Sequence, residues 1–544
     1  MTAAREPARP AWPWWLLLVA SLATGAWLRI WQLGDQILLD DEWHAIHKLL
    51  QSGMANIASH FGWADYSIPL TLYYRALYDL GWLSEWPMRL PLLLAGLAVL
   101  LAPLALRRLP LPTRATWAGL MAISLPLIYF SRTARPYALN CLLVLVAVLA
   151  IHRWWRNGQR GGWLAFAYGA CTVLGAWLHL LTLVFTALPF VWFGIQALQS
   201  GLRRRHWHPL LRLFLLGVAT LIPLLVLLLP PLVSDWASMR GKAGLGHMSW
   251  DSAWHGLQMA ESTGNVLLVA VLCALALIGL IAFWRQARDF TAYVLFVALV
   301  GTAVIMLAEP AWIQHAGVLV RYTVPVLPGL LLLIAHGAVT CLQRVTATWL
   351  ACPAVLLLLW LCYALGPLGY MLYSPNQFMD HTRFAYDPDA RTSLLRTGVK
   401  LGRIPDFYFQ LAQMPPRSVV VAEGPWRLES YFNPLPWYQQ LDRQYRRIAM
   451  LTPVCGHRVW GEYQPDQRGI HLRQFVHLGD LLAGHKHGID FLVLHMRPWT
   501  RIPPQQLRWP DMRQCLATVT RALGPPIYRD GQIAAFDLRE QPRR

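Results

Sequence analysis

Charge is what this sequence has least of: Asp, Glu, Lys and Arg make up 14% of 544 residues, while apolar types make up 56%. Soluble domains carry about 25% charged residues, and the mean hydropathy of +0.37 excludes a disordered chain and argues against a soluble enzyme. Acids are scarcer than bases, 28 against 47, for a net charge of +19. Cysteine is sparse at eight residues, none in a CxxC spacing, so no metal or redox pair is written in the sequence. Six of the eight lie in apolar runs, where Cys packs as a small hydrophobe. No internal repeat or low-complexity stretch is present. No small-residue cleavage site follows the first apolar run, which is therefore expected to remain as a membrane span.

What the sequence has in abundance is long apolar runs and tryptophan, 28 of them, a residue that favours the boundary of hydrocarbon and water. A hydrocarbon core of about 30 Å takes about 20 apolar residues. Eleven runs meet or approach that length, near 13–31, 88–106, 115–131, 136–152, 162–178, 181–198, 211–233, 265–284, 290–308, 319–341 and 348–373. Alternate connections carry the basic residues: Arg5 and Arg9, then Arg107, Arg108 and Arg114, then Arg153, Arg156 and Arg160, then Arg203 to Arg205 with Arg212, then Arg285 with Arg288, then Arg344. The positive-inside rule makes that parity cytoplasmic. The N-terminus is thus expected inside, and loop 32–87, the turn 131–136, loop 234–264, segment 309–321 and the tail outside.

From Ser374 onward polar residues and Pro turns replace the apolar runs. Short runs at Val419–Val421, Phe491–Leu494 and Ile533–Phe536 predict strands between helices. The expected architecture is an α-helical polytopic membrane protein of about 11 transmembrane helices, residues 1–373 including the external loop 32–87, with an outward soluble α/β domain at 374–544. Cys455 and Cys515 lie in that domain, where the compartment permits a disulfide that spacing alone does not establish.

Three sets of residues carry candidate chemistry. Asp40, Asp41 and Glu42 follow the first span directly. Adjacent carboxylates raise one another's proton affinity unless Arg or a metal compensates, which suits a general base or a metal ligand; the plainer reading is an acidic start to a short amphipathic helix over Glu42–Leu50. Arg132 and Arg135 occupy the turn Ser131-Arg132-Thr133-Ala134-Arg135-Pro136-Tyr137 on the face that the positive-inside rule disfavours for Arg. Guanidinium groups there either grip a lipid phosphate with paired donors or anchor the turn at the interface. On the same face lie His179, after Trp177-Leu178, Arg321-Tyr322 ahead of Pro325 and Pro328, which should bend the tenth span, and Asp65, which could hydrogen-bond a sugar. For His179 packing, and for Arg321 anchoring, is the alternative.

Leu28-Arg29-Ile30-Trp31 leading to Asp40-Asp41-Glu42, the Arg132–Tyr137 turn, Trp177-Leu178-His179, and Arg321-Tyr322-Thr323-Val324-Pro325-Val326-Leu327-Pro328 together resemble polyprenyl-phosphate-dependent glycosyltransferases of the GT-C membrane fold. The branch resembled is glycosyltransferase family 39, with the protein O-mannosyltransferases and aminoarabinose transferases, over roughly the first 340 residues. The resemblance implies a bacterial inner-membrane enzyme. It would transfer a hexosyl or pentosyl group from a polyprenyl-phosphate donor to an envelope glycan, lipid or protein acceptor on the outer face. It maps the family's Asp-Glu pair onto Asp41-Glu42, with Asp40 as an extra acid. Asp41 is then the base and Glu42 an orienting group, with Arg135 and Arg321, supported by Arg132, on the phosphate and Tyr137, His179, Tyr322 and Asp65 lining the substrate. Two departures stand out: Trp43-His44-Ala45 lacks the Tyr that often follows the Glu, and Ser67-Ile68-Pro69-Leu70 replaces a His-Pro-Pro-like element. No cofactor is required by any spacing, although a divalent metal is compatible with the acidic cluster.

A lipid-substrate transporter or flippase is the alternative class. The absence of repeated halves and the few ionisable groups at span centres weigh against it. Nucleic acid is excluded as a partner by location, since Arg203 to Arg205 abut a span without a soluble aromatic platform and face membrane lipid instead.

Overall fold

The computed structural model describes residues 11–36, 38, 42–62, 67–241, 247–311, 313–314, 316–345, 350–371, 392–395, 399–425, 435–456, 472, 474–497 and 509–539. The chain divides into two compact units: Met1–Trp31, Ser52–Leu72 and Leu90–Leu368 form the first, and Gln32–Gln51, Tyr73–Arg89 and Gly369–Arg544 the second. Parts of loop 32–87 thus cluster with the C-terminal residues.

The helices in chain order are α1 (Trp12–Ile30), α2 (Glu42–Gln51), α3 (Met54–Ser59), α4 (Ile68–Asp79), α5 (Glu85–Leu100), α6 (Ala102–Ala105), α7 (Leu111–Ile123), α8 (Leu125–Arg132), α9 (Tyr137–Arg156), α10 (Gly162–Leu178), α11 (Thr182–Arg204), α12 (His208–Ser234), α13 (Trp236–Arg240), α14 (Trp250–Ala260), α15 (Val266–Gln286), α16 (Arg288–Ala308), α17 (Ala316–Thr323), α18 (Leu327–Val345), α19 (Ala351–Ala364) and α20 (Leu368–Met371). Among the described residues, seven helices are long and apolar enough to cross a membrane: α1, α9, α11, α12, α15, α16 and the run Ala316–Gln343. The other four expected spans are shorter or broken, for local reasons. Pro91 lies inside α5, which stops at Leu100. The run 115–131 divides at Ser124 because Pro126 has no N–H to give the helix; the Leu125 N–H exposed by that break donates to Ser262 Oγ at 2.9 Å. The remaining two are 17 and 14 residues long. As Pro325 and Pro328 predict, the tenth span bends through a 3-10 turn at Val324–Val326.

Packing in this unit relies on small residues where helices meet. A Cβ on Gly279 would strike the Leu333 carbonyl and one on Gly337 the Leu275 carbonyl, so only glycine lets α15 and α18 approach so closely. A cluster around Ile151, Tyr168, Phe185, Tyr293 and Ile305 joins α9, α10, α11 and α16.

In the second unit, β1 (Thr392–Leu395) pairs antiparallel with β2 (Val399–Arg403), and α21 (Asp406–Ala412) follows. The strands β3 (Val420–Gly424), β4 (Tyr445–Met450), β5 (Phe475–His477), β6 (Phe491–His495), β7 (Tyr528–Arg529) and β8 (Ile533–Asp537) form one sheet in the order β5-β4-β3-β6-β8-β7. The first four in that order run parallel, and β8 and β7 are antiparallel additions. Three of these strands coincide with the apolar runs expected to be strands. Helices α22 (Leu435–Asp442), α23 (Leu478–Leu482) and α24 (Met512–Leu523) complete the α/β unit. Alternation sends Ala422, Leu492, Leu494 and Phe536 to a face covered by Leu481, Leu516 and Val519, and Val421, Phe491, Val493 and Ala535 to a face covered by Tyr408 and Tyr438.

That second face holds a buried polar network. Arg446 Nε lies 2.7 Å from Glu423 Oε1, Arg446 Nη2 is 2.5 Å from Asp442 Oδ2, and His495 Nε2 and the Tyr408 hydroxyl each lie 2.8 Å from Glu423 Oε2. The Tyr438 ring stacks on Tyr408 at 3.8 Å. On the opposite face, Cys455 and Cys515 form a disulfide with Cα atoms 4.7 Å apart, closing a separation of 60 residues. A Cys455→Ser, Cys515→Ala double variant is expected to lose about 2–4 kcal/mol of stability in this unit, read as a lower denaturant midpoint under non-reducing conditions.

Candidate active site

In the membrane unit, the predicted arginine turn connects α8 to α9. Thr133 leaves the helical region as the C-cap of α8, the Arg135 N–H donates to the Thr133 carbonyl at 2.7 Å, and Pro136 opens α9 with its fixed φ. The two arginines then take different surroundings. Arg132 is buried and its Nη1 donates to the carbonyls of Leu28 at 2.9 Å and Trp31 at 2.6 Å. These are C-terminal carbonyls of α1, where a cation satisfies both the unpaired oxygens and the negative end of the helix dipole.

Arg135 instead stands beside aromatic rings. Its Cζ lies 6.0 Å from the centre of the Tyr137 ring, and Arg321 Cζ lies 5.8 Å from the same ring and 5.0 Å from that of Tyr322. Arg321 Nη2 donates to the Tyr322 hydroxyl at 3.2 Å. His179, in extended conformation just past α10, has its ring 6.0 Å from Tyr137 and 5.3 Å from Tyr322. Phe130 closes on Tyr137 edge-on at 5.1 Å. Thus Arg135, Tyr137, His179, Arg321 and Tyr322, drawn from three distant stretches of chain, converge at the start of α9, just past the end of α10 and at the end of α17. Two guanidinium groups are packed around one tyrosine, Arg135 buried and Arg321 part-buried, and the ring faces offset part of their desolvation. Such a pair is chemically suited to a multiply charged anion such as phosphate.

In the second unit, Glu42 is buried at the start of α2, with Oε1 3.6 Å from Arg89 Nη2. Arg89, itself fully buried, donates through Nη1 to the carbonyls of Leu33 and Gln36, both at 2.7 Å. Nearby, Glu85 Oε1 accepts the Gln474 N–H at 3.0 Å. Asp40, Asp41 and Asp65 lie outside the described residues. Among the described residues, no three His, Cys, Asp or Glu side chains come together in a metal-holding group.

Two arginines absent from the sequence-based site are notable. Arg29, fully buried, donates to Gly25 O at 2.8 Å and Met121 O at 3.2 Å, satisfying carbonyls near the break between α7 and α8. Arg89 fixes Glu42. The available signal for both was a cation set into or beside an apolar run, where its cost demands a partner.

No protein-family model matches the chain, and no curated protein does. Among solved structures, the chain is similar to ArnT from Cupriavidus metallidurans bound to undecaprenyl phosphate, at 13% identity and a TM-score of 0.44, over 98% of this chain and 100% of that one. It is also similar to the archaeal oligosaccharyltransferase AglB from Archaeoglobus fulgidus, in complex with an inhibitory peptide and a dolichol-phosphate, at 9% identity and a TM-score of 0.39, over 89% of this chain and 69% of that one.

Proposed function

We propose that this protein is a membrane glycosyltransferase that moves a sugar from a polyprenyl-phosphate donor to an envelope glycan, lipid or protein acceptor on the outer face of a bacterial inner membrane. The observation that carries the reading is the convergence of Arg135 and Arg321 on Tyr137, with His179 and Tyr322 beside them. The sequence resemblance supplies the donor class.

In this reading, the carboxylate of Asp41 takes the proton of an acceptor hydroxyl as its oxygen attacks the anomeric carbon. The bond from that carbon to the phosphate oxygen breaks, and Arg135 and Arg321 stabilise the charge gathering on the leaving phosphate. Glu42, held by Arg89, orients the base or the acceptor. A single displacement inverts the anomeric configuration.

The test is direct. Purified protein in vesicles with a polyprenyl-phosphate sugar and candidate acceptors should release free polyprenyl phosphate and yield product of inverted configuration by NMR. Asp41→Asn should slow that release by about 10²-fold. Translocation of the lipid across the bilayer without release would replace this reading with that of a flippase.

A further inference from the structure

On an exposed apolar face of the membrane unit, an elongated groove of about 730 Å³ follows the seam where α10 packs on α12, with Trp154 and Gln159 at one end and Trp177 at the other. That volume falls within the range of about 300–1,000 Å³ typical of ligand clefts. Along α12 the groove runs from Arg212 to Leu227, about 22 Å at 1.5 Å per residue, so it extends through more than half of a hydrocarbon core of about 30 Å. Phe166 and Leu215 on its walls are 75% and 56% exposed.

The groove is electrostatically one-ended. Among the described lining residues, Arg212 alone is charged, and it sits with Gln159 at the end where Arg153 and Arg156 close α9. Arg212 Nη1 is steadied by the Gly158 carbonyl at 3.2 Å, and Gln159 Nε2 donates to the Pro209 carbonyl at 2.8 Å. An acyl chain gains little by leaving the bilayer for an apolar groove, because lipid tails are already apolar. Selectivity must therefore come from the headgroup. We infer that this groove is a binding site for an anionic phospholipid, its acyl chain lying along the seam of α10 and α12 and its phosphate at Arg212, in the leaflet on the basic side of the protein. Basic pockets between helices at that level bind such headgroups.

The experiment exposes purified protein to equal amounts of phosphatidylglycerol and phosphatidylcholine in mixed micelles and reads retained lipid by native mass spectrometry. Wild type should retain phosphatidylglycerol preferentially, and Arg212→Gln should cut that preference about fivefold, the factor one interfacial arginine is worth. Ala170 and Ala219 line the groove and are exposed, so Ala170→Trp and, independently, Ala219→Trp should fill it and lower retention of phosphatidylglycerol without unfolding the bundle. Equal retention of the two lipids by wild type, or unchanged preference in Arg212→Gln, would overturn the assignment. So would added polyprenyl phosphate displacing phosphatidylglycerol from wild type but not from the tryptophan variants.

Discussion

Arg321→Ala and Arg135→Ala are each expected to lower the rate of polyprenyl phosphate release by about 10²–10³, with helical content unchanged. A donor aimed at developing charge is worth that much where water is displaced, and both guanidinium groups are packed on aromatic rings rather than spread in solvent. Lysine at either position keeps the charge but loses the planar pair of donors, so Arg321→Lys should recover only part of the rate. Because Tyr137 supports both cations, Tyr137→Leu should weaken both at once, while Tyr137→Phe keeps the ring face and most of the activity. The internal control is Arg132. Its Nη1 is engaged by two α1 carbonyls, so Arg132→Ala should cost about 1–3 kcal/mol of stability, the penalty of unsatisfied buried groups. If Arg135→Ala and Arg321→Ala both turned over at the wild-type rate, leaving-group stabilisation would have to be sought elsewhere.

Arg446→Met is expected to destabilise the α/β unit by about 3–5 kcal/mol. It leaves Glu423 and Asp442, both essentially inaccessible to solvent, without their shared cation. Methionine nearly matches the arginine stem in length, so little of the loss comes from a cavity. Burial by itself would raise the affinity of Glu423 for protons, but Arg446, His495 and the Tyr408 hydroxyl outweigh it and hold its carboxyl below the usual carboxylate range. Its folded value lies below its unfolded one of about 4.3. The stability it contributes is therefore fully present above that unfolded value and is lost as pH falls through the lowered folded value. Pulse proteolysis of the full-length protein in detergent should show the wild-type unit weakening in that acid window. Glu423→Gln should be weaker at neutral pH and lose this acid dependence; an unaltered acid profile in Glu423→Gln would assign the transition to other groups.

Hydropathy, proline placement and strand-like runs are local properties, and they reached far into this fold. The long apolar helices, the bend at Pro325 and Pro328, the helix opening at Glu42 and the strands near Val420, Phe491 and Ile533 all follow from residues within a few positions of one another. The break at Ser124 was missed because a window average conceals a single proline in an apolar run. Arg132 and Arg135, three residues apart, were both set on the phosphate by the resemblance, Arg132 in support. One reaches the end of α1 and the other the Tyr137 ring, and only packing sets which way each side chain goes.

The sequence by itself determined the class of molecule, a multispan helical body with an α/β tail, because the balance of apolar and charged residues dictates where chain can be buried. It also marked Arg132, Arg135 and Arg321 as basic residues on a face where they need a reason, but not the buried Arg29, Arg89 and Arg446. Tertiary structure alone decided who the partners are: Glu42 with Arg89, Cys455 with Cys515, Glu423 with Arg446 and His495, and Arg135, His179 and Arg321 around two tyrosines. Each such pairing depends on the close approach of segments distant in sequence, and a potential that falls off over a few ångströms leaves no periodic trace along the chain.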